Sequence, residues 1–170
     1  MGQQALTLLM QLNAAAEAED ALAEAARLAF QQHPDSAIFT SFPGLGELPA
    51  ARVLAEIGDD RTRFADVRGL KAYAGAAPVT RASGKKRVVL HRTVKNNRLA
   101  AVGYLWTFAA IRLSTGAPAH YNRRRLTGDR HAAAQGNLFN RFLGCLYYCL
   151  QTNRVYAEQR AFPATTPLAA

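Results

Sequence analysis

Between Asp66 and Asp129 the sequence contains no carboxylate; all 62 intervening residues lack Asp and Glu. Long apolar runs are missing as well. No uninterrupted stretch approaches the roughly 18 residues that a membrane span requires, and no basic start leads into an apolar signal segment, so a cytoplasmic protein that spans no membrane is expected. Cysteine is scarce. Cys145 and Cys149 are the only two; they stand four apart in a helical pattern, share a face without CxxC loop geometry, and read as reduced core thiols. His91, His120 and His131 have no CxxC or HExxH partner and no zinc-site spacing, so no metal site is expected in this chain. Contact with phosphate or solvent is the expectation for these histidines. There is no internal repeat, and no low-complexity tract beyond an alanine bias. What remains is a chain of 170 residues, about half of them hydrophobic, enough for one sizeable core with appendages.

The missing acids make the charge lopsided. The formal net charge is +9, but residues 1 to 66 hold four Lys/Arg against ten Asp/Glu, whereas residues 67 to 170 hold seventeen against two. A cationic segment of this length repels itself unless phosphates neutralise it, which points to nucleic acid rather than to a basic face kept for solubility.

Read along the chain, residues 5 to 30 carry Leu8, Leu12, Ala15, Leu22, Ala26 and Ala29 at spacings of three and four, which predicts one long amphipathic helix. The alanine-rich stripe reads as a connecting or coiled-coil arm without a local partner, suited to self-association. His33-Pro34-Asp35 ends it, with Asp35 or Ser36 available as a cap. From Ala37 to Gly58 two apolar helical patterns flank Pro43-Gly44-Leu45-Gly46, like a helix-hairpin-helix whose glycines leave N–H groups free to face a phosphate. An ordinary helix-helix turn is the alternative. A further amphipathic stretch starts at Phe64 and is closed by Pro78. Residues 79 to 95 read as a loop or a short hairpin, with the hairpin near 86 to 93. Residues 97 to 114 predict the central core helix, with Leu99, Val102, Leu105, Trp106, Ala109 and Leu113 on its face and Phe108 packed with them. A tyrosine-arginine segment follows, then an apolar helix from Ala132 to Arg154 and an unpatterned tail.

The segment with most chemistry runs from Gly75 to Arg87, where Ser83 stands in a flexible loop ringed by Arg81, Lys85, Lys86 and Arg87. A serine hydroxyl is a weak nucleophile unless a base takes its proton or positive charge stabilises the alkoxide and the developing phosphorane. The four cations supply charge but no base, and Ser-Gly is also a frequent turn pair. Arg92, Lys95 and Arg98 extend the cationic run. Tyr121 with Arg123, Arg124 and Arg125 is a second aromatic-basic candidate for nucleic acid, and Tyr121 is the alternative nucleophile.

Several phrases carry a resemblance: HPD, SFPGLG, ARVLAEIGDD and RFAD; LKAYAGAAPVTRASGKKRVV; LHRTVKNNRLA; LWTFAA; and AHYNRRR before GD. Together, from about residue 33 to 156, they resemble the C-terminal region of transposases of the insertion-sequence 110/116/902 group, which includes Piv-type DNA invertases. The most specific part is Gly75-x-x-Pro78-x-x-x-x-Ser83-Gly84 joined to the upstream PGLG. The resemblance implies a domain whose motif serine, here Ser83, attacks DNA and becomes covalently linked to it. It also implies an N-terminal RuvC-like domain whose carboxylates bind Mg²⁺, action as multimers and, in at least some relatives, guidance by a structured RNA.

Two departures stand out. The roughly 40 residues before the turn are too few for a RuvC-like domain, and Asp59, Asp60 and Asp66 do not replace its carboxylates. Lys95-Asn96-Asn97 stands where many relatives have a Lys-x-Gly-Asn turn, and Asn tolerates the left-handed conformation. The expectation is therefore a mainly α protein: a helical arm at 1–32, a helix-hairpin-helix-containing transposase C-terminal domain at 33–158 with a small β-hairpin, and a tail at 159–170. Its expected role is DNA strand cleavage and rejoining, inactive without the RuvC-like partner. The expected DNA contacts are Gly44, Gly46, Arg81, Lys85, Lys86, Arg87, Arg92, Lys95, Arg98, Tyr121, Arg123, Arg124 and Arg125. The rival is a non-catalytic helix-hairpin-helix binding or assembly module, a truncated transposase remnant in which Ser83 is only a turn residue.

Overall fold

Residues 2–163 are described by a computed structural model. Among these described residues, eight helices and one small sheet follow in the order α1 (Gly2–Gln31), α2 (Ser36–Thr40), α3 (Glu47–Ile57), α4 (Val67–Tyr73), β1 (Val79–Ser83), β2 (Lys86–Leu90), α5 (Asn97–Leu113), α6 (Ala117–Leu126), α7 (His131–Thr152) and α8 (Glu158–Ala161). The protein is mainly helical, as the periodicity predicts.

The centre belongs to α7 rather than to α5. Its buried residues come two abreast on successive turns, Leu138 with Phe139 and Phe142 with Leu143, continuing through Leu146 to Cys149 and Leu150, so one helix offers apolar surface over a wide arc. It packs against α2, α4, α5, α6 and α8. Helix α5 offers a narrower line, Leu99, Val102, Trp106 and Ala110, and at Gly103 the Phe139 ring comes so close that a Cβ would lie 2.3 Å from it. The expected core positions Leu105, Phe108 and Leu113 are exposed instead. They continue the three-and-four spacing one residue off the buried line, and spacing alone does not separate the two tracks.

Aromatic packing joins the layers. The Trp106 ring stacks on Phe142 at 5.1 Å and 6°, Phe42 meets Trp106 edge-on at 5.4 Å, and Trp106 Nε1–H donates to the Pro43 carbonyl at 3.1 Å. That bond fixes the turn between α2 and α3 on α5. Gly44, at φ 78°, faces the α5 backbone, where a Cβ would lie 2.6 Å from Ala110 N. Two helices do flank the turn, but the first is only five residues long. Asp35 precedes it without a side-chain cap bond and instead ion-pairs with Arg61 at 2.5 Å.

Several boundaries differ from those the sequence predicts. Helix α4 begins at Val67, capped by Asp66, which accepts from Gly69 N at 2.8 Å; Phe64 packs on the core from the preceding loop. It ends in paired bonds, Ala76 N–H to Lys71 O and Gly75 N–H to Ala72 O, a C-terminal motif that stops it well before Pro78. Asn96 is not left-handed: at φ −73° it caps α5 by accepting from Leu99 N at 2.9 Å. The tyrosine-arginine segment is a helix, α6, with its three arginines in the last turn, where cations suit the dipole.

The arm and the first part of the tail are both attached, and residues 164–170 of the expected tail lie outside the described residues. Helix α1 lies along α3 through its C-terminal part, with Phe30 buried and Arg27 and Gln31 both donating to the Glu47 carboxylate, so the arm has a local partner there. Residues 2 to 22 are exposed throughout. Past α7, packing continues to Phe162. Burial raises the Glu158 pKa, but hydrogen bonds from the Ser114 hydroxyl (2.6 Å), Gly116 N–H (2.7 Å) and the Tyr156 and Thr115 hydroxyls bring it below its ordinary value.

Buried His120 has a defined tautomer. Arg123 is only a donor and lies 3.2 Å from Nδ1, so Nδ1 accepts and Nε2–H donates to Asn137 Oδ1 at 3.0 Å. Burial, with nearby Arg141, Arg123 and Arg124, pushes its pKa below 6.5.

Two outcomes are expected. Gly44→Ala should lower the free energy of unfolding by at least about 1–3 kcal/mol from backbone strain alone, read by urea denaturation; an unchanged midpoint would mean the turn is not seated on α5. The unfolded chain protonates His120 more readily than the fold does, so the stability it confers is complete above pH 6.5 and is lost as the pH falls through the folded pKa. Melting temperatures between about pH 7 and 5 should fall more steeply for the wild type than for His120→Gln; parallel slopes would refute the assignment.

Candidate nucleic-acid interface

Strands β1 and β2 form an antiparallel ribbon in the register Val79↔Leu90, Arg81↔Val88 and Ser83↔Lys86. Its two-residue turn is Gly84-Lys85, and Gly84 at φ 54° supplies the positive φ that such a turn needs at its first position. The hairpin thus begins seven residues earlier than 86, and Ser83 is the last residue of a strand, not part of a loop. Nine of the ten strand residues are exposed, so the ribbon adds little to the core.

The register sorts the cations. Residues directly opposite one another share a face, and side chains alternate along each strand, so Ser83, Arg81 and Lys86 lie on one face while Arg87 lies on the other with Ala82. Lys85 occupies the turn. The ring of four expected from sequence becomes a serine with two cations on its own face, Lys86 directly across and Arg81 two residues before. Ser83 Oγ has no hydrogen-bond partner, and Arg81, Lys85, Lys86 and Arg87 form no ion pair, among the described residues.

Below the ribbon, cations are engaged with the protein itself. Arg92 donates to the Ala77 carbonyl at 3.2 Å, Lys95 Nζ lies 2.8 Å from His91 Nε2, and Arg98 pairs with Glu56 at 2.9 Å while staying exposed. On α6, Arg124 pairs with Asp129 at 2.6 Å and Arg125 donates to the Asp129 carbonyl. Arg123 contacts His120, and Tyr121 Oη lies 2.6 Å from His131 Nδ1. His120 is therefore a buried structural residue, not a solvent or phosphate contact.

The two glycines of the turn differ. Gly44 is committed to packing against α5, whereas a Cβ on Gly46 would meet nothing within 4 Å. Gly46 precedes α3, whose first turn already contains the Glu47 carboxylate, a negative group of the kind a helix N-terminus favours. No three His, Cys, Asp or Glu side chains come together as a metal site among the described residues. Asp66 caps α4, Asp60 accepts from Thr62, and Asp59 meets His33 at 3.2 Å, so these carboxylates do not fit a Mg²⁺ centre.

One feature is absent from the sequence reading. A cavity of about 1060 Å³ between α4, α7 and the segment before α8 is lined by Lys71, Arg141, Arg154 and Arg160 together with Cys145 and Cys149. Burial, with Arg141 alongside, lowers the Lys71 pKa; burial raises the Cys145 thiol and pushes Cys149 up to about 11. Both cysteines are free. The cations come from distant parts of the chain, so only their excess over acids was visible beforehand.

Comparison with known proteins adds what geometry alone does not. The model of the Transposase IS116/IS110/IS902 family matches residues 36–122, from α2 through the hairpin and α5 into α6. The candidate mini-circle transposase for IS117 of Streptomyces coelicolor is 62% identical over 161 residues, 95% of this chain and 39% of the relative. The uncharacterized 42 kDa protein of insertion element IS900 from Mycobacterium paratuberculosis is 36% identical over 83% of this chain and 34% of its own length. The uncharacterized 43.6 kDa protein of insertion element IS110, also from S. coelicolor, is 32% identical over 96% and 40%. The chain thus spans about two fifths or less of the length of these relatives, and with the family match covering half of it, it belongs to the IS116/IS110/IS902 transposase family.

Proposed function

We propose that this chain is the DNA-handling, serine-bearing part of a transposase that cleaves and rejoins DNA strands. The observation that carries the reading is the exposed hairpin tip, where Ser83 shares a strand face with Arg81 and Lys86. In the reaction the Ser83 Oγ–P bond forms and the phosphorus–oxygen bond to one deoxyribose breaks, leaving DNA joined to the protein. Arg81 and Lys86 meet the charge that develops on the phosphoryl oxygens. The serine proton passes to a base, and none hydrogen-bonds Ser83 among the described residues. A RuvC-like domain is the proposed source of that base and of Mg²⁺ ligands, which do not come together among the described residues. Lys85, Arg87 and the cations of α6 grip the backbone electrostatically, and a structured RNA is a further proposed partner.

Self-association completes the proposal. Leu6, Leu8, Leu9, Met10 and Leu12 are all more than half exposed on the unpartnered part of α1, and Leu8 and Leu12, one turn apart on the same face, suit pairing with another copy. Light scattering should show concentration-dependent association that Leu8→Gln with Leu12→Gln abolishes without altering the melt. A wild type that stays monomeric at high concentration removes this element.

The serine and the lysines should separate cleanly. Ser83→Ala removes an oxygen and no charge, so DNA affinity should hold while a denaturation-resistant protein-DNA adduct, assayed with a RuvC-like partner, Mg²⁺ and any guide RNA added, disappears. Lys85→Ala with Lys86→Ala should weaken binding and reduce the salt slope by up to about two units. An adduct formed by Ser83→Ala at the normal rate would point to Tyr121. No adduct with either protein would favour the non-catalytic binding module.

A further inference from the structure

Gln135 of α7 is 2% exposed, and neither its Oε1 nor its Nε2 has a hydrogen-bond partner among the described residues. Native folds leave few buried amides unpaired, because each forfeits hydration without compensation. This one lines a groove of about 580 Å³ at the foot of the hairpin, between Pro78 and Leu90 on one side and α5 and α7 on the other. The next residue, Gly136, also lines it, and a Cβ there would meet nothing within 4 Å.

The surroundings are selective. Tyr104, half exposed, stands in the α5 wall. Lys95 and His91, in contact at 2.8 Å, belong to the same lining, while its other ionic residues, Arg124 and Asp129, neutralise each other. The groove therefore combines an aromatic face, an uncommitted amide and a cation.

We propose that this groove takes an unstacked nucleobase of the DNA held by the hairpin, with Gln135 reading the base edge; the inference rests on the DNA-handling role above. An amide offers a donor beside an acceptor, the complement of the N6 and N7 edge of adenine. Tyr104 supplies a stacking surface, and Lys95 meets the phosphate next to the base. A cavity of this size lies in the range of small-ligand sites. An apolar side chain from a protein partner would fill the same space and leave the amide unpaired, which favours a base. With both amide atoms shielded from solvent, Gln135 enters the groove by rotating about its own side-chain bonds.

The test uses the full chain with three duplexes: fully paired, carrying one unpaired adenine, and carrying an abasic site at that position. The adenine duplex should bind roughly tenfold more tightly than the other two, near the lower end of what one bidentate amide–base pair discriminates. Gln135→Leu should keep the affinity for paired duplex, lose the preference and melt at a higher temperature, since it removes an orphaned amide. Gly136→Leu, which fills the groove, should lose the preference too. Equal binding of adenine and abasic duplexes, a preference that survives Gln135→Leu, or a lower melting temperature of that variant would overturn the site. If no duplex binds at all, the DNA-handling role fails, and the groove is judged separately by titration with deoxyadenosine monophosphate. Nuclear magnetic resonance signals of the Gln135 side-chain amide should shift with that probe and not with deoxyribose 5-phosphate; no shift overturns the proposal.

Discussion

Trp106 holds the two halves of the core together. Its ring lies flat on Phe142 of α7, its edge receives Phe42, and its N–H reaches the Pro43 carbonyl, so one side chain from α5 fixes both the central helix and the turn between α2 and α3. Removing an aromatic of this size from a core costs about 3–5 kcal/mol, and here the loss would also take away the donor of the part-buried Pro43 carbonyl. Because Pro43 is held in this way, Gly44 is pressed against the Ala109–Ala110 backbone. A turn whose glycines suggest a phosphate cradle is thus partly consumed by packing. Only its Gly46 side is open, and Glu47 already stands in the helix start there.

Legibility in the sequence followed the strength of the periodicity. The helices now seen at Gly2–Gln31, Asn97–Leu113 and His131–Thr152 could be read from apolar spacing, because three to six turns of repeated pattern average out individual exceptions. The hairpin was displaced because its β-branched residues, Val79 and Thr80 on one strand and Val88 and Val89 on the other, flank a charged tip of weak strand propensity, so propensity alone does not place the turn. The better signal was Ser83-Gly84-Lys85, a glycine at the first position of a two-residue turn with five-residue strands on either side. Helix α6 escaped notice for the opposite reason: AHYNRRRL has almost no apolar stripe, and its helicity comes from Pro118 in the first turn, arginines in the last and burial of Ala117 and His120.

Of the candidate interface, residue types were legible and allegiances were not. The acid-free segment was visible as a block, yet the fold divides it. Arg92, Lys95 and Arg98 bond to nearby groups of the protein, as Arg124 does to Asp129, whereas the cations of the hairpin tip have no such partner among the described residues. Asn96 illustrates the difficulty. Its side chain caps α5 and also donates to Glu56 and to Tyr73 Oη, both at 2.6 Å, uniting residues 40 and 23 positions apart that no local pattern connects.

The same division leaves the ribbon as the part free for the proposed contact with DNA. An isolated two-stranded hairpin is marginal in water, and this one adds four like charges around its turn while burying almost nothing. Packing therefore gives no reason for Arg81, Lys85, Lys86 and Arg87 to cluster there, and mutual repulsion opposes it. A phosphate backbone reverses both terms at once, by supplying counter-charge and by giving the exposed strands a surface to lie on. In such a complex the order of the ribbon is coupled to the affinity, so salt should loosen both together, whereas in the free protein it screens the repulsion between the four cations. The core built on Trp106, whose stabilising contacts are apolar and buried, has no corresponding dependence.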